Sequence, residues 1–224
     1  MRVIVFCLSA LLGVAFLGGR AIAADPTTED QKTLYALGVA ISQNLSVFQL
    51  SESELEMLKA GLTDGVLKKP LKADLDTYGP KIQQMGQTRA AAYAEKEKAA
   101  GAAFLNKAAA EPGAKKTASG AIVKTIKEGS GPMPAATDKV KVHYQGTLTD
   151  GTVFDSSIKR GEPATFPLNG VIKCWTEGLQ QVKVGGKARL VCPANIAYGD
   201  RGSPPTIKPG ATLVFDVELL EIVK

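Results

Sequence analysis

The spacing of apolar residues changes once along this chain, and the change falls at a polar break bearing Pro and Gly, "EPGAKKTASG", residues 111–120. Before it, Leu34, Leu37, Ile41 and Leu45 follow one another at three or four residues, and so do Leu55, Leu58, Leu62 and Val66. After it, apolar and polar residues alternate. A helix repeats its faces every 3.6 residues and a strand every two, so one pattern cannot serve the other structure. A helical region followed by a sheet, joined at the break, is therefore expected.

Two helix starts are spelled out in the first region. Thr28 precedes Gln31 by three residues, and Ser51 precedes Glu54 in the same way, which is the spelling of a capping box. A third helix, rich in Ala, Lys and Glu, is expected from Pro80, in its first turn, to Ala110. At 1.5 Å per residue it would be a rod of roughly 45 Å. Its apolar residues, Ile82, Met85, Tyr93, Phe104 and Leu105, are too sparse to bury a face along the whole length, so the rod is expected to project into solvent as a spacer. Two short helices and a rod enclose little core alone. Their apolar faces are expected to close on a second copy, giving a homodimer. The domain reading is a helical dimerisation domain and spacer helix over 25–110, a linker over 111–120, and a sheet domain over 121–224.

In "KVKVHYQGTL" Val140, Val142 and Tyr144 face one way and Lys139, Lys141 and His143 the other, with Asp150-Gly151 as a turn beyond them. A second strand sets Ala188, Leu190 and Cys192 against Lys187, Arg189 and Val191. A third sets Leu213, Phe215, Val217 and Leu219 against Thr212, Val214, Asp216 and Glu218. Only "VIKCWTEGLQQV", Val171 to Val182, reads as helix among them. The expected class is α+β: an antiparallel sheet wrapped on one short helix, with helices ahead of it.

Residues 1–23 have the form of a cleavable secretory signal, with basic Arg2, an apolar run from Val3 to Leu17 and small residues up to Ala23 and Ala24. The run is shorter than the ~20 residues of a membrane span. The mature chain is expected to start at Ala24 or Asp25, to reach the periplasm and to carry no membrane span, with association at the outer membrane or cell surface left open. Cys7 leaves with the signal, and Cys174 and Cys192 remain in an oxidising compartment. The net charge of +5 falls by two, to +3, when Arg2 and Arg20 go, a balance too mild to imply nucleic acid. A single His, His143, excludes a His-rich metal site.

Three stretches set chemistry-capable residues beside aromatics: "DGTVFDSS", "VIKCWTEG" and "IAYGDRG". From the residues alone, Asp155 is open between catalytic acid, metal ligand and turn residue. No second carboxylate stands at a glycosidase-like position and there is no Cys or His nucleophile pair, so "FDSS" is not a hydrolytic centre. With one His in the chain it is a poor metal site as well. Each of Tyr144, Phe154, Phe166, Trp175, Tyr198 and Phe215, taken singly, reads as core as readily as site.

Taken in order, "VKVHYQGTLTDGTVFDSS", "GEPATFPLNGVIKCWTEGLQ", "ANIAYGDRG" and "GATLVFDVELLEI" resemble the FKBP family of macrolide-binding peptidyl-prolyl isomerases, over about residues 121–224. The helices before them, with "YALGVAISQNL", resemble the N-terminal dimerisation region of the exported bacterial branch, of macrophage-infectivity-potentiator and FkpA type. The resemblance implies a shallow apolar pocket between helix and sheet, with Trp175 as its floor and Tyr144, Phe154, Phe166, Val171, Ile172, Ile207 and Phe215 around it. Tyr198 and the backbone N–H of Ile172 would hydrogen-bond a substrate carbonyl. Asp155 would be a carboxylate at the pocket wall, held by the Tyr144 hydroxyl and Arg160, biasing a twisting amide.

The catalytic set so implied is Asp155, Tyr198 and Tyr144, with no cofactor and no metal. The implied partners are proline-containing unfolded or partly folded polypeptides, macrolide inhibitors and a second copy. The implied function is acceleration of proline-limited folding of exported proteins, with chaperone activity; the other reading is a dimeric holdase or surface-binding module whose isomerase activity is secondary. Ala164 stands where minimal eukaryotic members carry a pocket Phe, and Ser203 and Thr206 replace a His and an Ile, departures that would open one side of the pocket. The position before the pocket Trp is often Gly in the family and here is Cys174. With Cys192 on the inward strand face under that helix, a disulfide is expected, two separate buried thiols being the alternative.

Overall fold

A computed structural model describes residues 25–223; the secretory-signal reading and Cys7 lie outside the described residues. Residues 25–39 belong to one compact unit and residues 40–223 to another. The helical region consists of α1 (Glu29–Leu45), α2 (Glu52–Val66) and α3 (Leu75–Ala109). Both capping boxes form. Thr28 N donates to Gln31 Oε1 at 3.1 Å and Gln31 N to Thr28 Oγ1 at 3.2 Å, while Ser51 N donates to Glu54 Oε2 at 2.9 Å and Glu54 N to Ser51 Oγ at 3.4 Å. Neither α1 nor α2 buries a single residue.

The sheet is antiparallel throughout, built from β1 (Ala114–Lys116), β2 (Ile122–Lys127), β3 (Lys139–Leu148), β4 (Val153–Ser156), β5 (Ala164–Pro167), β6 (Lys187–Cys192) and β7 (Leu213–Val223). Strand order is β1-β2-β6-β7-β3-β4, with β5 paired to β3. The short α4 (Ser157–Arg160) follows β4, and α5 (Lys173–Leu179) packs on the inner face of the sheet. The alternation read in β3, β6 and β7 produces that face: Val140, Val142, Ala188, Leu190, Leu213 and Val217 are fully buried against Trp175 and Leu179 of α5. Gly178 makes the approach of α5 close. A Cβ there would sit 2.8 Å from the Leu190 side chain.

The break at residues 111–120, read as a linker, is ordered into the sheet. Positive φ at Gly113 and Gly120 turns the chain, and between them β1 pairs with β2 in the register Lys115↔Val123. The spacer also differs from expectation at both ends. It begins at Leu75 because the Asp74 carboxylate accepts the N–H of Thr77 at 2.9 Å and of Asp76 at 3.3 Å, a cap of about 1 kcal/mol. Pro80 therefore lies inside the helix, where its missing N–H leaves the exposed carbonyl of Asp76 to water.

At its other end α3 does not project into solvent. Its buried residues are all small, Gly86, Ala94, Gly101 and Ala108, at intervals of seven or eight. Ala108, with Phe104 and Leu105, covers Ile122, Val191 and Val214, a second apolar cluster on the outer face of the sheet. A Cβ at Gly101 would lie 2.2 Å from Thr212 Oγ1, so the helix backbone rests against the start of β7. Nearer the N-terminus Arg89 ties α3 to the turn before α2 and to α2 itself, donating to Phe48 O at 2.8 Å and to Glu54 Oε1 at 2.5 Å. That bond from Arg89, with two from Ser51, holds the Glu54 carboxyl at about 2.

Cys174 of α5 and Cys192 of β6 are joined as a disulfide, their Cα atoms 5.7 Å apart. The bond closes a loop across 18 positions of sequence, for which the chain-entropy estimate is roughly 3 kcal/mol. Calorimetry with and without reductant is expected to separate the melting temperatures by on the order of 10 °C. Coincident transitions would mean that the cross-link contributes nothing.

Candidate active site

The inner face carries an aromatic box centred on Trp175. Its indole meets Tyr144 at 5.2 Å, Phe215 at 5.3 Å and Phe166 at 5.7 Å between centroids, each pair within a few degrees of perpendicular. Phe154 stands edge-on to Phe215 at 5.5 Å. These edge-to-face arrangements let the positive rim of one ring meet the negative face of the next, worth about 0.5–1.5 kcal/mol per pair beyond burial. Tyr144, Trp175 and Phe215 are buried, and Phe154, Phe166, Val171 and Ile172 pack half-exposed against them. Among the described residues the Trp175 Nε1 hydrogen has no acceptor.

Local sequence explains how the box closes. Gly146 sits in mid-strand on β3, and a Cβ there would lie 2.6 Å from the Phe154 ring and 3.0 Å from Phe215. Only a residue without a side chain lets both rings fold over the strand. Ser157, fully buried where β4 gives way to α4, accepts the Tyr144 N–H at 2.8 Å and donates to its carbonyl at 3.2 Å. It takes the place of the missing ladder partner and fixes the backbone that aims the Tyr144 ring. Sequence reading passed over both residues, although a Gly inside a strand pattern signals close approach. Thr176 Oγ1 donates to Leu168 O at 2.6 Å and anchors the entry to α5.

Asp155, Tyr144 and Arg160 form one cluster at the edge of the box. The Tyr144 hydroxyl donates to Asp155 Oδ2, Arg160 Nη1 pairs with Asp155 Oδ1, and Arg160 Nη2 donates to the Tyr144 hydroxyl oxygen at 3.0 Å. Burial works against the charge on Asp155, but the bonds from Tyr144 and Arg160, together with the charge of Arg160, outweigh it and hold the carboxyl below its usual range. Burial and the bond to Asp155 push the Tyr144 hydroxyl up. A carboxyl lowered in this way stabilises the fold at pH values above its unfolded pKa, and that contribution is lost as pH falls through the folded one.

The remaining predicted residues divide. Ile207 is buried in the same cluster as Trp175, and Ile172 caps α5, so that its N–H has no intrahelical acceptor. Tyr198 stands apart, 41% exposed, on the loop after a short 3-10 turn at Ala194–Ile196. Ala164 packs half-buried on the cluster, while Ser203 and Thr206 are exposed on the Tyr198 loop. Among the described residues no group of three or more His, Cys, Asp or Glu could hold a metal ion, and no helix is long and apolar enough to cross a membrane.

The family model described as FKBP-type peptidyl-prolyl cis-trans isomerase matches residues 131–220, which span the whole box, and a domain amino terminal to such isomerases matches residues 30–122. The FKBP-type 22 kDa peptidyl-prolyl cis-trans isomerase of Escherichia coli is 40% identical over 199 residues, covering 88% of this chain and 97% of that protein. This chain belongs to the FKBP-type peptidyl-prolyl cis-trans isomerases. FkpA of Aeromonas hydrophila is also 40% identical, over 90% of this chain and 79% of that one. The crystal structure of FkpA from Escherichia coli superposes with a TM-score of 0.66 at 36% identity, covering 88% of this isomerase and 97% of that chain. The isomerase is thus of the FkpA type, with the helical region and the sheet in the same order.

Proposed function

We propose that this isomerase accelerates proline-limited folding of exported proteins in the periplasm as a homodimer that also holds non-native chains, and that the box around Trp175 is its active site. Rotation about an X-Pro bond loses amide resonance against a barrier of ~18–20 kcal/mol. The planar amide is strongly polar and the half-rotated one is less so, which makes an apolar aromatic recess a better host for the twisted form. Each ~1.4 kcal/mol of that preference is about tenfold in rate. In this reading Trp175 is the floor under the proline ring, with Phe154, Phe166, Val171, Ile207 and Phe215 as walls. The Ile172 N–H and the Tyr198 hydroxyl take the substrate carbonyl, and Asp155, kept ionised by Tyr144 and Arg160, acts on the twisting amide. The joined state of Cys174 and Cys192 and the signal-like residues 1–23 support an oxidising, exported location.

The observation that carries the dimer and the chaperone activity is the apolar surface of α1 and α2. Leu34, Leu37, Ile41, Leu55, Met57, Leu58, Leu62 and Val66 are all exposed, Met57 to 75% and Val66 to 70%. A soluble monomer rarely leaves so many large apolar side chains of two helices in water. A second copy would cover part of it and place two isomerase sites on one client, raising the effective concentration of the second grip. Sedimentation of residues 25–224 is expected to give twice the chain mass, and a monomer at micromolar concentration would overturn the dimer. A refolding assay limited by proline isomerisation tests the function: acceleration that a macrolide abolishes is expected, and no acceleration refutes it.

The state of Asp155 sets the pH profile. A carboxyl already held below its usual range stays charged through the neutral and mildly acid region. The kcat/KM for a short proline peptide is therefore expected to be flat from pH 8 to about 5 and to fall only below the ordinary Asp value of ~3.9. A drop centred near pH 6 would show that Asp155 is not the charged group that matters.

A further inference from the structure

The loop from Tyr198 to Ala211 rests on α3. Lys98 Nζ reaches Asp200 Oδ1 at 2.6 Å, the Lys208 ammonium lies over the Tyr93 ring at 5.7 Å, and Gly210 seats its backbone against the helix itself. A Cβ on Gly210 would lie 2.4 Å from the Ala94 carbonyl oxygen, and its φ of +75° is one that other residues rarely adopt. Ala94 is 1% exposed because this loop covers it. Within the loop, Gly210 N donates to Gly199 O at 3.1 Å, Gly202 N to Tyr198 O at 3.1 Å, and Ser203 and Ile207 exchange backbone bonds at 2.7 and 2.9 Å. The seat on α3 is thus one hydrogen bond from the residue after Tyr198. The far side of the loop sends Ile207 into the aromatic cluster.

We propose that the Tyr93–Gly101 segment of α3 positions the Tyr198 loop, making Lys98, Tyr93 and Ala94 positioning residues for isomerisation. The proposal rests on the active-site reading above and adds a coupling that the reading does not need. Tyr198 is exposed, and its loop is held by its own backbone bonds, by Ile207 in the aromatic cluster and by its seat on α3, so a shift of that seat moves Tyr198 relative to the box. A group that must meet a twisting amide tolerates little error, since a misplacement of about 1 Å costs on the order of a hundredfold. The helix that enters from the N-terminal region therefore has a direct mechanical hold on one wall of the pocket.

The test uses the full mature chain with a short proline peptide, reading kcat and KM, the melting temperature and acrylamide quenching of Trp175, the protein's one tryptophan. Lys98→Glu and Asp200→Lys are each expected to lower kcat/KM about 2- to 5-fold, the range of one exposed ion pair. The double variant is expected to restore it, although Lys98 also bonds Glu95 at 3.0 Å. Gly210→Ala is expected to lower kcat/KM about tenfold or more and to raise Trp175 quenching, because the added methyl lifts the loop off Ala94. Wild-type kcat/KM in all four variants, or losses in the charge variants that the swap leaves unrestored, would overturn the proposal. Tyr198→Phe is measured beside them: wild-type turnover there removes Tyr198 from the active-site reading, while rescue by the swap still supports the hold of α3 on the loop through Ile207.

Discussion

Replacing Trp175 with Ala is expected to lower stability by about 3–5 kcal/mol and to take isomerase activity with it, whereas Asp155→Ala is expected to lower turnover at nearly unchanged stability. The contrast follows from where the two side chains sit. Trp175 is 4% exposed and shares edge contacts with Tyr144, Phe166 and Phe215, so its removal leaves a cavity that three rings on different elements cannot refill together. Asp155 is on the rim. Without it the Tyr144 hydroxyl keeps its bond from Arg160, and Arg160 faces water. Denaturant midpoints and kcat/KM on a short peptide read the two effects separately. Wild-type turnover in Asp155→Ala would remove its electrostatic role, and a wild-type midpoint in Trp175→Ala would mean that the box is not part of the core.

The sequence was most informative where a side chain's direction settled its surroundings. Alternation in β3, β6 and β7 assigns Val142, Leu190 and Val217 to a buried face, and the structure buries them there. The same alternation assigned Val191 and Val214 to the opposite face, and periodicity says nothing about what covers a face. Those two valines and Ile122 lie under α3. The signal was present as apolar residues on a supposedly solvated side. Over them α3 brings Ala108 with Phe104 and Leu105, two apolar residues too few to mark a buried face from sequence. Further along, Gly101 meets Thr212 and Ala94 meets Gly210 through how little they project, and a search for large apolar residues along a helix misses that part of the seam.

The cluster around Asp155 was legible only through the resemblance to the FKBP family, because the residues alone left Asp155 open. The structure brings Arg160, five residues on, to that carboxylate, and Tyr144 reaches it from β3, which pairs with β4 in the register Gly146↔Asp155. What stayed hidden were the residues that aim this cluster without touching a substrate. Gly146 and Ser157 act on backbone and ring placement, and their types are common in strands and turns for unrelated reasons.

The contact between α3 and the sheet is also expected to move the boundary of the folding unit into α3, with a large effect. A chain cut at residue 113, just before β1, keeps every strand and the whole aromatic box, yet it strips Ala108, Phe104 and Leu105 from Ile122, Val191 and Val214. Fully burying one such side chain is worth about 1.5–3 kcal/mol, so uncovering three that keep their sheet neighbours costs on the order of 3–5 kcal/mol. Against a usual domain stability of about 5–15 kcal/mol that is a large share. A chain beginning at residue 91 keeps the seam through Ala94, Gly101 and Ala108 and omits α1 and α2. The 91–224 chain is therefore expected to melt well above the 113–224 chain and to stay monomeric. Both are expected to turn over short peptides where folded, the shorter one less efficiently because the Tyr198 loop has lost its seat. Equal melting temperatures for the two chains would show that α3 rests on the sheet without stabilising it, and would return the boundary to the polar break at residues 111–120.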